Sequence, residues 1–234
     1  RGEDAEWGRV CLPPNLVIAG TVNMDESAHG FSRKVLDRAF TIELSDVDLR
    51  AGTRREPSGA NDPSGAWPVS AWYPRATRLS ELDIRSVREE ELISEAISTL
   101  VQLNHLLTPA QLQVGYRARD EIALFLIHAA DISGMFRTSS GDPVSPLDLA
   151  LQMKILPRIA GGSSAVRRLL IGLIGWAWVG QPLTDESEAS DLLDRWQADG
   201  RPARISQARF PGLASRALLM FDRLQTEGFT SYWL

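Results

Sequence analysis

The chain has 234 residues, a net charge of −5, 44% apolar and 24% charged residues; it is long enough to bury a core and has no global basic field of the kind that drives non-specific nucleic-acid binding. Its single cysteine, Cys11, excludes an internal disulfide framework and fits a reducing, cytoplasmic compartment, while three scattered histidines give no metal-ligand spacing. The N-terminal RGEDAEWGRV has no apolar signal core, and the longest apolar run, LLIGLIGWAWVG at 169–180, is too short to span a bilayer and reads as a buried helix.

In chain order, NLVIAGTV (15–22) reads as a buried strand: a short apolar run with β-branched members, preceded by Pro13-Pro14. FSRKVLDRA follows as a short helix with Ser32 as its cap. FTIELSDV (40–47) alternates Phe40, Ile42 and Leu44 with polar residues and predicts a second strand. Residues 50–78 are rich in Pro, Gly, Ser and Ala and read as a surface insertion, which Trp67, Trp72 and Tyr73 could dock on the body.

From Ser86 the signals are helical. Ser86 and Glu89 form a capping-box pattern before EEELISEAISTLVQLNHLL. Thr108-Pro109 with Gln111 opens a short turn or helix. YRARDEIALFLIHAADI (116–132) is apolar nearly all round after its first turn, which predicts a central helix. Ser145-Pro146 with Asp148 starts LDLALQMKILPRIA, and AGGSSAVRR (160–168) is a helix stop and a new start. Residues 163–178, 186–197 and 212–227 predict further helices, and nothing after residue 47 reads as a strand. The expected fold class is an α/β remnant with strands of a parallel sheet, followed by a mostly α-helical domain.

Asn23 ends the first predicted strand, where α/β sheets bind ligands. An amide there can hold a water or a phosphate oxygen; the alternative is that it only caps the turn. Asp25 and Glu26 could polarise such a site or face solvent, and His29 reads as a turn residue. Arg117 and Arg119 lie in a first helical turn, where positive charge opposes the helix dipole, a small argument that one of them answers to an anion.

The stretch PPNLVIAGTVNMDESAHGFSRKVLDRAFTIEL resembles the second half of an AAA+ nucleoside-triphosphatase core, most nearly the McrB-like branch, the motor subunit of modified-cytosine restriction systems. VGYRARDEIALFL is similar to the sensor 2 helix of such a lid, LDLALQMKILPRIAGG to the segment after it, and EGFTSYWL to the end of these modules. The resemblance touches residues 12 to about 162 and the C-terminus, and skips 50–78. It implies residues 1–50 as the C-terminal part of the AAA+ core, 51–85 as an insertion, and 86–234 as the lid and C-terminal helices. Asn23 would be sensor 1, acting on the attacking water or the γ-phosphate. Arg38 would be the arginine finger, reaching a neighbour's nucleotide, with Arg33 the competing candidate. Arg117, with Arg119 as alternate, would be sensor 2, since an arginine fork makes two bonds to phosphate oxygens.

The resemblance further implies ATP or GTP with Mg2+ as cofactor and a ring-shaped homo-oligomer. It implies a McrC-like nuclease as partner, DNA reached through that partner or through other regions, and no membrane. No G-x-x-x-x-G-K-[ST] loop and no apolar strand ending in Asp-Glu occurs in the 234 residues. The chain also starts without methionine in a polar segment, and the expectation is a fragment that is inactive by itself, with phosphate and metal binding supplied upstream. The alternatives are a MoxR-like AAA+ chaperone motor and a non-catalytic helical protein-interaction module.

Overall fold

A computed structural model describes residues 11–13, 15–22, 31–43 and 73–233. Helix α1 is a single turn, Arg33–Leu36, started by the Ser32 carbonyl, which accepts from Val35 N and Leu36 N at 3.0 and 3.2 Å. The helical body then consists of α2 (Val87–Leu107), α3 (Tyr116–Asp131), α4 (Pro146–Lys154), α5 (Ser164–Val179), α6 (Glu186–Ala198) and α7 (Pro211–Glu227), with short 3-10 turns between several of them.

Local signals start these helices where the sequence reading expects. Ser86 Oγ accepts from Glu89 N at 3.3 Å, Ser145 Oγ from Asp148 N at 3.4 Å, and Ser163 Oγ from Val166 N at 3.3 Å. Each bond gives a first-turn amide a side-chain acceptor, and Glu89 N also donates to the Ser86 carbonyl at 3.1 Å. The box at α2 is shifted by one residue, because Glu89 reaches back to Arg85 N at 2.8 Å rather than to Ser86.

Glu89 is also gripped by Arg75, whose Nη1 and Nη2 donate to its two oxygens at 2.6 and 3.0 Å. These bonds tie the end of the expected insertion to the start of α2. The Arg75 hydrogen bonds, then that from Arg85 N, hold the Glu89 carboxyl at about 2. A depressed folded-state pKa gives stability that is complete above the unfolded value and lost as pH falls through the folded one. Urea midpoints should therefore fall as pH drops from about 4.5 toward about 2, and Glu89→Gln should flatten that part of the profile.

The core centres on α5, whose residues Leu169–Trp178 are all buried. It packs mainly against α7; α2 pairs with α3, and α4 bridges α3 to α7. The expectation that helix 116–132 is central is corrected: α3 buries Ala118, Ile122, Ala123, Leu126, Ile127 and Ala129, leaving Tyr116, Arg117, His128 and Ala130 exposed. Its one-sided burial follows from its contacts, which are mainly with α2 and α4, whereas α5 packs against α2, α6 and α7.

The chain after α5 turns at Gly180, with φ +85°, in the left-handed region that favours glycine. It folds back so closely that a Cβ on Gly175 would lie 2.7 Å from Gln181 O and from Leu183 N. Before α7 it crosses the end of α5 again: Arg209 N and Phe210 N donate to the Trp178 and Ala177 carbonyls at 3.0 and 2.9 Å. These bonds occupy carbonyls that a helix end leaves open.

The parallel sheet is not found among the described residues. Residues 15–22 carry no strand, and Leu16, Val17, Ile18 and Val22 are 49–79% exposed. A strand exists only through a ladder with a neighbour, and no described segment runs beside this one. Residues 40–43 of the second expected strand carry no strand either; Thr41 N and Oγ1 both donate to the Met153 carbonyl, at 3.2 and 2.6 Å. The sheet that does form is unforeseen: β1 (Ala160–Gly161) pairs antiparallel with β2 (Thr230–Ser231), tying the C-terminus to the start of α5. Residues 44–47 of the expected strand, the tip with Asn23, Asp25, Glu26 and His29, and most of 50–78 with Trp67 and Trp72 lie outside the described residues. No described helix is long and apolar enough to cross a membrane.

Candidate functional site

The segment carrying Arg38 is fastened to the helical body by one buried ammonium. Lys154, the last residue of α4, is 1% exposed. Its Nζ donates to the carbonyls of Asp37 and Ala39 at 3.0 and 3.1 Å, and pairs with the Glu121 carboxylate of α3. It also lies 5.0 Å from the centroid of the Phe40 ring, which stacks on Phe125 of α3 at 5.6 Å. A buried ammonium is tolerable only when its donors are used and its charge is matched. Here two carbonyls, a carboxylate and a π face do both.

A second cation repeats the link. Arg158 Nη1 approaches Asp37 Oδ1 at 3.7 Å, and its Nη2 donates to the Gln113 carbonyl at 3.4 Å. Gln113 belongs to the connection that leads into α3. That connection is held by Asn104, whose amide donates to the Val114 carbonyl at 3.0 Å and accepts from Val114 N at 2.8 Å. The N-terminal turn of α3 and the Leu-Asp-Arg-Ala segment are thus brought together by Lys154 and Arg158.

Arg38 sits between the two carbonyls that Lys154 holds; its side chain is exposed and has no partner among the described residues. Arg117, four residues before Glu121 on α3, is likewise exposed and without a described partner. Its helix begins at Gly115 with no side-chain cap and no acidic residue in its first turn. Arg119 differs: Nε and Nη2 both bond Asp120 Oδ1, at 2.7 and 2.5 Å, and the guanidinium lies 4.9 Å over the Tyr116 ring. Of the two sensor 2 candidates, Arg117 is therefore the one with an unspent fork. The backbone of Arg33 is in α1, and Asn23 lies outside the described residues.

Sequence reasoning missed Lys154, Arg158 and Glu121. The signal for Lys154 was a lysine inside an apolar run, LALQMKILP, which reads as an ordinary helix-end cation until its burial is known. Among the described residues no group of three His, Cys, Asp or Glu could hold a metal ion.

A family model described as a domain of unknown function (DUF8727) matches residues 69–229. The match takes in the helical body with Arg117 and Arg119 and leaves out the segment with Asn23, Arg33 and Arg38. No curated protein and no solved structure matches.

Proposed function

Because this chain belongs to the DUF8727 family, a family whose description carries no function, we propose a role from the site itself. The chain is the lid-bearing, C-terminal part of a McrB-like AAA+ motor. The motor hydrolyses ATP or GTP with Mg2+ in a homo-oligomeric ring and drives a DNA-restriction partner such as a McrC-like nuclease. The observation that supports the reading most is the pair of unspent guanidinium groups, Arg38 and Arg117, on two segments joined through Lys154. On this reading Arg38 serves the neighbour's nucleotide and Arg117 the protomer's own. The Lys154 link then couples adjacent sites of the ring mechanically. The phosphate loop and the Asp-Glu strand that the reaction needs are not in residues 1–234, and the reading assigns them to preceding polypeptide.

The test is nucleotide turnover by the protein carrying its upstream sequence. Arg38→Ala should lower kcat by about 10³ with nucleotide binding retained, the usual cost of losing an arginine finger. Arg117→Ala should weaken both binding and turnover, and Arg119→Ala should do neither, since that fork is committed to Asp120. Unchanged turnover in both Arg38→Ala and Arg117→Ala would overturn the motor reading. A second reading, a helical protein-interaction module without catalysis, is favoured by the family match beginning at residue 69. It requires no hydrolysis from any form of the protein.

A further inference from the structure

Residues 31–43 lie on the helical body as a bound peptide would. Phe31 meets the Trp233 ring edge-on at 6.0 Å, Leu36 is buried, and Phe40 stacks on Phe125 of α3 at 5.6 Å. Main-chain bonds fill the intervals: Lys154 holds the Asp37 and Ala39 carbonyls, and Thr41 N donates to the Met153 carbonyl. The two acidic side chains face cations of the body, Asp37 towards Arg158 at 3.7 Å and Glu43 towards Arg216 at 2.8 Å. Backbone bonds for affinity and spaced side-chain anchors for specificity are how folded domains take extended peptides.

The occupant is separable from the groove that holds it. Each of these partners lies beyond residue 120, so the chain next to the segment is not what holds it. Phe125, Met153, Lys154, Arg158 and Arg216 fall inside the family match of residues 69–229, and the segment falls outside it. Lys34, Val35, Arg38, Ile42 and Glu43 stay exposed. The segment therefore rests on the surface and can lift away without opening the packing of α5 on α7.

Residues 44–72 join the segment to the body, and a stretch of that length spans at most about 100 Å. The groove of a neighbouring copy is within that length as well as the chain's own. Each copy carries one segment and one groove, so a reciprocal exchange closes with two-fold symmetry and leaves no contact unmade. We propose that residues 31–43 dock in trans on the groove of a second copy, through the contacts seen within one chain. The tether favours the chain's own groove at low concentration, because it holds the segment there at an effective concentration on the order of millimolar. The exchanged dimer is populated as the protein concentration approaches that value. The proposal does not depend on the motor reading.

The test separates segment from groove in two variants of the 234-residue chain. Phe40→Ala with Glu43→Gln spoils the segment and leaves the groove intact. Lys154→Met with Arg216→Met spoils the groove and leaves the segment intact. Sedimentation velocity should show each variant alone as a monomer and their mixture as a one-to-one complex. A fluorescent peptide of residues 31–43 should bind the segment-spoiled chain at least about tenfold more tightly than wild type, whose own segment competes from its tether. The groove-spoiled chain should bind the peptide at least about tenfold more weakly than the segment-spoiled chain does. If the double groove variant loses its helical circular dichroism, Lys154→Met alone is read by the same criteria. No complex in the mixture of folded variants, a complex in either variant alone, or equal peptide affinity in the two variants would overturn the proposal.

Discussion

Asp148→Ala is expected to cost about 3–5 kcal/mol of folding stability, because it leaves two buried amides without acceptors. Asp148 is fully buried in α4. Its Oδ2 accepts from Gly212 N at 2.8 Å and its Oδ1 from Leu213 N at 2.9 Å. These are first-turn amides of α7, whose own N-cap, Phe210, offers no side-chain acceptor. The cap of one helix is thus supplied by another, across 64 residues of chain. The negative charge also lies at the positive end of the α7 dipole. Arg204 Nη2 stands 3.6 Å from Oδ2 and Gln152 Nε2 3.3 Å from Oδ1, so alanine also strands the partners on the other side. Asp148→Asn keeps one acceptor and should cost roughly half as much. Urea unfolding followed by two probes, to check two-state behaviour, measures both. A loss under about 1 kcal/mol for the alanine variant would mean that water replaces the carboxylate at the cap.

Lys154→Met should cost about 2–3 kcal/mol, below the 3–5 kcal/mol of a fully buried pair that loses one member. The discount reflects the Glu121 side chain, which is 28% exposed and can be rehydrated when its partner goes. The larger consequence is local. Without the ammonium, the Asp37 and Ala39 carbonyls lose their donor, and the segment keeps the Arg158–Asp37 pair, Thr41 on Met153, the Phe40–Phe125 stack and the Glu43–Arg216 pair. Tryptic cleavage after Arg38 should accelerate by roughly tenfold or more if it proceeds through undocking. Glu121→Gln should change that rate less, because both carbonyls still bind Lys154. Equal cleavage rates in wild type and Lys154→Met would show that the segment is held by its aromatic and Arg216 contacts instead. In the proposed motor, Lys154→Met should also uncouple Arg38 from Arg117, lowering turnover without removing either arginine.

The two positions differ instructively in how they read before the fold is known. Asp148 looks like the fourth residue of a Ser-Pro-x-Asp helix start, and locally it is one: its amide binds Ser145 Oγ. Its carboxylate, however, acts on a helix that begins at Pro211. Lys154 looks like a cation placed for its own helix C-terminus, and it is instead the hub of a link to residues 37–40. Arg117 and Arg119 are equivalent in sequence, and the adjacent Asp120 separates them in space by engaging only Arg119.

Helix starts at Ser86, Ser145 and Ser163, and the buried helix at Leu169–Trp178, were legible because capping and apolar periodicity act within a few residues of chain. The run at 15–22 was misread as a buried strand because apolar, β-branched composition shows only that a strand would be favourable; a ladder must come from a neighbour in space. For the same reason the β1–β2 pair, two residues on each side and remote in sequence, left no trace in the pattern. Local hydrogen bonds and hydrophobic period thus settled where the helices lie, while the roles of Asp148, Lys154 and Arg216 were set by burial. Burial turns a polar side chain from solvent-exposed into obligatorily paired, and only the packing of distant segments determines which partner it meets.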